Sequence, residues 1–211
     1  RASDQFIAAM VADPVLQELE FGVRCDRQLR DQLLSVAEEQ LIAGLQVNGL
    51  RSWGNLYQKL AGTVQCTVNG ETMGLAKAAN LLNHPQRETR KAAWEAIQSA
   101  WSSHQESVAM ILNSINGWRL EETKQRAHTR ELHYLDKSCH QNRIQRATLD
   151  TLMDTAYRHR AIGQRALNTM ARVLQIPQMA PWDLMAPAPA KESPTITFDA
   201  AINLIAAAFR Q

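Results

Sequence analysis

The stretch "HTRELHYLDKSCH", residues 128–140, holds three of the chain's six histidines, one of its three cysteines and several acids. A metal centre is the first chemistry such residues raise. A helical zinc site needs H-E-x-x-H, because histidines at i and i+4 share a face and the adjacent glutamate polarises the attacking water. His128 and His133 are five apart, which sets them about 140° away from each other around a helix. Glu131 follows His128 by three positions rather than one. The helical motif fails on geometry. Spacing alone still permits a loop that gathers His133, Asp136, Cys139 and His140, ligand types that suit zinc. The stretch reads more simply as a helix end and turn. Arg126, Arg130, Arg143 and Arg146 meet opposite charges there from Glu121, Glu122, Glu131 and Asp136. As a phosphate-binding patch it lacks interleaved aromatics and a glycine-rich loop.

Other catalytic signatures are missing. There is no GxGxxG, no Walker loop, no G-x-S-x-G and no paired cysteine and histidine nucleophile. Glu38 and Glu39 read as a cap and a solvated face. Cys66 reads as a small buried hydrophobe rather than a reactive thiol, and His104 as a hydrogen-bonded core histidine.

The elements that position these residues follow from composition and periodicity. The chain has 211 residues, 45% of them hydrophobic and 21% charged, with a net charge of +2. That composition suits a globular protein, and the small charge does not call for nucleic acid as a partner. Folded compactly, the chain would expose about 9,800 Å². Cys25, Cys66 and Cys139 form neither an even disulfide set nor a C-x-x-C pair, which implies reduced thiols and a cytoplasmic location. No signal peptide and no apolar run approaching twenty residues suggests a membrane segment. The chain opens "RASDQF" without an initiator methionine and closes inside a helical pattern, so both ends read as cut.

The fold class is mostly α, an elongated multi-helix domain with one inserted β-hairpin. Asp13 with Pro14 predicts a helix start. Ser35 and Glu38 have capping-box spacing, and Asn48-Gly49 predicts a left-handed stop. Ser52 is expected to cap a short helix ended by Gly62. In "TVQCTVNGETMG", Val64, Cys66 and Val68 alternate up to Asn69-Gly70, so a hairpin near 63–74 is expected, with Cys66 opposite Met73. From Trp94 through Ile97, Trp101, His104, Val108, Ile111 and Ile115 to Trp118, apolar positions recur at steps of three and four. This predicts one helix of about thirty residues, roughly 45 Å long. A second long helix is expected from a Thr148 cap to Pro177. The expected organisation is a helical domain over 1–176, a proline-rich connector over 177–196 that crosses the surface, and the start of a further domain over 197–211, with a helix from near Asp199.

Taken together, "LSVAEEQLIAGLQVNGLRSWGNLYQKL", "VQCTVNGETMG", "AANLLNHPQRETRKAAWEAIQSAW", "ILNSINGWRL", "LDKSCHQNRIQRATLDTLM" and "MAPWDLMAPAP" resemble, in order and spacing, the amino-terminal portion of the oligoendopeptidase F group of thimet-oligopeptidase-like zinc peptidases, family M3. The resemblance covers nearly all of residues 15–189. It implies a mostly helical, zinc-dependent endopeptidase that cleaves oligopeptides in a deep channel, with this portion forming part of the wall. The family's zinc is held by an H-E-x-x-H helix and a distal glutamate, none of which occurs in residues 1–211. No catalytic, cofactor-binding or metal-binding residue is therefore carried over. His84, His104, His128, His133, His140 and His159 have no counterpart among the family's ligands. The partners implied are the catalytic domain of the same polypeptide and oligopeptide substrates, with neither nucleic acid nor membrane, and self-association of the isolated chain is expected. Without the resemblance, two other readings stand: a noncatalytic helical interaction domain, and a weakly basic nucleic-acid-associated domain with the arginines of 119–146 on one face.

Overall fold

The computed structural model describes residues 2–189 and 196–209. Helices α1 (Asp4–Val11), α2 (Glu20–Arg27), α3 (Val36–Asn48) and α4 (Leu50–Thr63) lead into strands β1 (Gln65–Val68) and β2 (Glu71–Gly74). Then come α5 (Leu75–Asn80), α6 (Arg87–Ser102), α7 (Gln105–Arg126), α8 (Asp136–Gln141), α9 (Arg146–Arg158) and α10 (Arg160–Val173), and finally α11 (Phe198–Ala208). The chain is a mostly helical domain with a small β-hairpin, as the patterning predicts.

The hairpin has the predicted register: Val68 pairs with Glu71, Thr67 with Thr72 and Cys66 with Met73. Asn69 and Gly70 both have positive φ, 52° and 85°, which the primed turn requires. A two-stranded ribbon is marginal by itself in water. Here Val64, Cys66, Val68 and Met73 turn their inner face onto Ala78 of α5 and Ala93 of α6, with Ile97 and Trp101 packed around them. Cys66 is 1% exposed, and burial pushes its thiol pKa up, as expected of a packing cysteine.

The apolar stripe from Trp94 to Trp118 is real, but the single helix is not. Every residue of the stripe is buried or half-buried, yet the rod breaks at Ser103 and His104. The Ser103 hydroxyl donates to the Ala100 carbonyl at 2.7 Å, the acceptor that the His104 amide would use in a continuing helix. The His104 amide bonds to Trp101 instead, and the His104 carbonyl opens α7 by accepting from Val108. His104 is thus the residue at the joint.

Other boundaries shift for local reasons. Asp13 caps a turn rather than a helix, its carboxylate accepting from the Val15 amide at 2.9 Å. The capping box at Ser35 and Glu38 forms as predicted. Gly49 has φ −90°, so it is no left-handed stop. It is needed for close approach: a Cβ there would sit 2.6 Å from the Trp118 ring. Ser52 lies inside α4, which runs one residue past Gly62. The second long helix is divided at His159, and begins after Gln145 rather than at Thr148. It begins there because α8 ends just before it, with Arg143 at φ 55° and Ile144 N–H bonded back to Cys139 C=O. Gln175, at φ 55°, ends α10 in the same way, ahead of Pro177.

The exposed surface is 16,151 Å², well above the roughly 9,800 Å² of a compact chain of this mass. Helices α9, α10 and α11 contribute to the excess, for their residues are almost all exposed, among them Leu152, Met153, Tyr157, Ile162 and Leu204. Among the described residues, no helix is long and apolar enough to cross a membrane.

Candidate functional site

The 128–140 stretch folds as a turn followed by α8, and its candidate ligands face different partners. The His133 ring accepts from the Leu135 amide at 3.2 Å, lies 2.9 Å from the Arg146 guanidinium and sits at a tilt of 32° to the Tyr134 ring. Asp136 accepts from the His133 amide at 3.1 Å and pairs with Arg130. Cys139 is buried where α8 ends, and His140 points toward Asp26, 3.9 Å away. Among the described residues, no group of three or more His, Cys, Asp or Glu side chains is placed to hold a metal ion. The described residues of this stretch are not arranged as a zinc site.

The stretch and the end of α7 just before it tie helices together. Arg126, at the end of α7, donates two parallel bonds to Glu39 of α3, at 2.7 and 2.9 Å, and a third to Glu122 at 3.1 Å. The Glu39 bonds foremost hold the Arg126 pKa up. Lys137 of α8 reaches Glu122 at 2.8 Å. Burial would raise the Glu122 pKa, but its bonds to Lys137 and Arg126 outweigh that and leave it lowered. Two clefts flank this knot. One of about 240 Å³ is walled by Leu29, Leu33 and Leu132 beside Glu39 and Arg126. The other, about 560 Å³, runs between α7 and residues 134–141.

A second cluster was not foreseen. In the 177–189 segment, expected only to cross the surface, Pro181–Asp183 form a tight turn whose Asp183 is 0% exposed. Arg87 and Arg90, one turn apart on α6, grip its carboxylate. Arg87 donates from Nη2 at 2.8 Å and from Nε at 3.0 and 3.1 Å, and Arg90 donates from Nη2 at 2.9 Å. The Ala180 amide adds a bond at 3.0 Å. Burial opposes the charge, but these donors and the Arg87 charge overcome it and hold the Asp183 pKa at about 2. Arg90 also bonds the Trp182, His84 and Pro85 carbonyls, so all its nitrogens are engaged. Arg87 and Lys91 both lie over the Trp182 ring, 5.8 Å from its centre. The available signal was two arginines at i and i+3 and one acid beside a tryptophan among prolines. Nothing local joins them.

This clamp brings together "HPQRETRKAAW" and "MAPWDLMAPAP", which stand far apart in sequence. It closes a helical body whose hairpin packs under α6 and whose α7 carries the knot at Arg126. Residues 80–210, more than half of the chain, match peptidase family M3, and the chain belongs to that family. The fold is similar to oligoendopeptidase-F from Enterococcus faecium, with a TM-score of 0.71 and 21% identity over 90% of this chain and 38% of that one. It is also similar to a protein from Chlamydophila abortus assigned as a peptidase, with a TM-score of 0.73 and 19% identity over 97% of this chain and 34% of that one. A protein from Bacillus anthracis strain Ames, assigned as oligoendopeptidase F, gives a TM-score of 0.69 at 15% identity, over 98% of this chain and 38% of that one. The chain thus spans little more than a third of the length of these structures. No curated protein sequence matches.

Proposed function

We propose that the chain is the amino-terminal wall of a zinc-dependent endopeptidase that hydrolyses oligopeptides. Residues 1–176 serve as the helical domain, 177–196 as a connector and 197–211 as the start of a catalytic domain that supplies the metal ligands and general base. Residues 190–195 of that connector lie outside the described residues. The observation that carries the reading is the family match over 80–210 on a chain that covers 34–38% of its structural relatives. The bare faces of α9 to α11 support it, since a wall needs a second half to close against.

The role of these residues is steric and electrostatic. The clamp at Asp183 fixes the connector against α6, and the Arg126 knot locks α3, α7 and α8 into one face. Such a wall admits an extended peptide and excludes a folded domain. The protein acts in the cytoplasm, in keeping with its unpaired cysteines, which localisation of a tagged copy would test.

Hydrolysis of short fluorogenic peptides, set against casein-sized substrates, is the direct experiment. The parent enzyme is expected to cleave the former and spare the latter, with activity lost to a chelator and restored by zinc. Residues 1–211 alone are expected to show neither turnover nor an equivalent of bound zinc. Absence of peptide cleavage by the parent, or turnover by this chain alone, would defeat the reading.

A further inference from the structure

Most arginines of 119–146 are neutralised by acidic partners. Arg126 is paired with Glu39 and Glu122, Arg130 with Asp136, Arg143 with Asp26 and Arg146 with Asp150. Arg119 differs. Among the described residues it has no carboxylate partner, and it lines the cleft of about 560 Å³ between α7 and residues 134–141. That cleft is lined by no aspartate or glutamate. Its second cation, Lys137, is already engaged by Glu122 at 2.8 Å. Asn116, Tyr134 and Gln141 bring amide and hydroxyl groups to the lining, and Leu120 and Leu135 contribute apolar wall. A volume of this size falls within the ordinary range for a small-ligand site.

We infer that this cleft binds a carboxylate-bearing segment of a peptide, with Arg119 as the residue that recognises the acid. A guanidinium presents parallel donors that match a carboxylate in two-point contact. The leucines accept an apolar neighbour of the acidic residue, and the amides of Asn116 and Gln141 can bond an extended backbone. An acidic side chain and a peptide's terminal carboxylate share this chemistry. The biological meaning of the site, as a selector of acidic substrates, rests on the peptidase reading, but the binding itself does not.

The test is an NMR titration of the 211-residue chain at low ionic strength with three acetylated tetrapeptides. The first is Ac-Ala-Leu-Asp-Ala-amide, the second its Asn counterpart, and the third Ac-Ala-Leu-Asn-Ala with a free terminal carboxylate. One or both charged peptides are expected to bind about fivefold to tenfold more tightly than the neutral one, with shifts clustered on residues 116–120 and 134–141. The arm that binds identifies the source of the carboxylate. Arg119→Gln should abolish that preference and Arg119→Glu should transfer it to a Lys-bearing peptide, while Arg165→Gln, a change at an exposed arginine of α10, should leave it intact. Equal affinity for all three peptides, shifts elsewhere, or equal losses in Arg119→Gln and Arg165→Gln would overturn the site. Such a failure would leave the peptidase reading standing, because that is judged by turnover of the parent enzyme. Conversely, a parent without turnover would leave a positive titration untouched.

Discussion

The Arg90 guanidinium lies 2.9 Å from the Asp183 carboxylate, with the two side chains 3% and 0% exposed, and joins positions 93 residues apart. A buried pair of this kind is weak support for stability in itself, yet removing one partner strands the other charge away from water.

Asp183→Asn is therefore expected to lower the unfolding free energy by about 3–5 kcal/mol. Arg87→Gln should cost less, because Arg87 is 36% exposed and water can replace part of what it provides. Urea unfolding of the two variants checks the order. Equal costs would contradict the geometry.

The same carboxylate makes stability fall with acid. Its folded pKa is about 2, below the roughly 3.9 of an unfolded aspartate, so the unfolded chain binds the proton first. The stabilisation is fully present above about pH 4 and is lost as the pH falls toward 2, an effect of about 2–3 kcal/mol. Glu122, also lowered, contributes with the same sign. Unfolding curves between pH 2 and 6 for the native chain and Asp183→Asn should differ in slope in this window and run parallel above it.

Two glycines should respond in opposite directions. Gly49→Ala drives a methyl group to 2.6 Å from Trp118, where the fit is too tight for a small shift, so a loss of about 1–3 kcal/mol is expected. Gly163→Ala, in the interior of α10 with nothing within 4 Å of the new carbon, should gain about 0.5–1 kcal/mol. Thermal melts of both variants measure this, and the tryptophan emission of Gly49→Ala should also change.

The bare arm of the molecule should make the isolated chain associate. Leu152 and Ile162 are 61% and 55% exposed on α9 and α10, and surface of this kind drives association unless it is covered. Size-exclusion profiles should shift to larger species as concentration rises, and Leu152→Glu with Ile162→Glu should suppress the shift. A monodisperse monomer at high concentration would contradict it.

How much of this was legible in sequence depends on the range of the cause. The hairpin was readable to its register because the Val64, Cys66, Val68 alternation and the Asn69-Gly70 turn are local and agree. The Ser35 box was readable for the same reason. The stripe from Trp94 to Trp118 was legible as a face but not as two helices, since periodicity does not register that Ser103 takes the Ala100 carbonyl. Gly49 could not be understood without Trp118, and the Asp183 clamp could not be seen at all. Its arginines look like ordinary solvated charges until a turn from the far end of the chain is laid over them. In the 128–140 stretch, residue types suggested a metal and spacing argued against it. Only the bond of Lys137 to Glu122, beside the Arg126 pair with Glu39 from the other end of the domain, says what the charges there do.

The clamp also has a mechanical meaning. Arg90 and Asp183 close the intervening polypeptide into a ring, so a pull applied to the two ends of the chain can pass through their contact instead of along the backbone of α9 and α10. While the ion pair holds it works as a shear pin for those two helices, and the Arg126–Glu39 knot holds α7 to α3 separately.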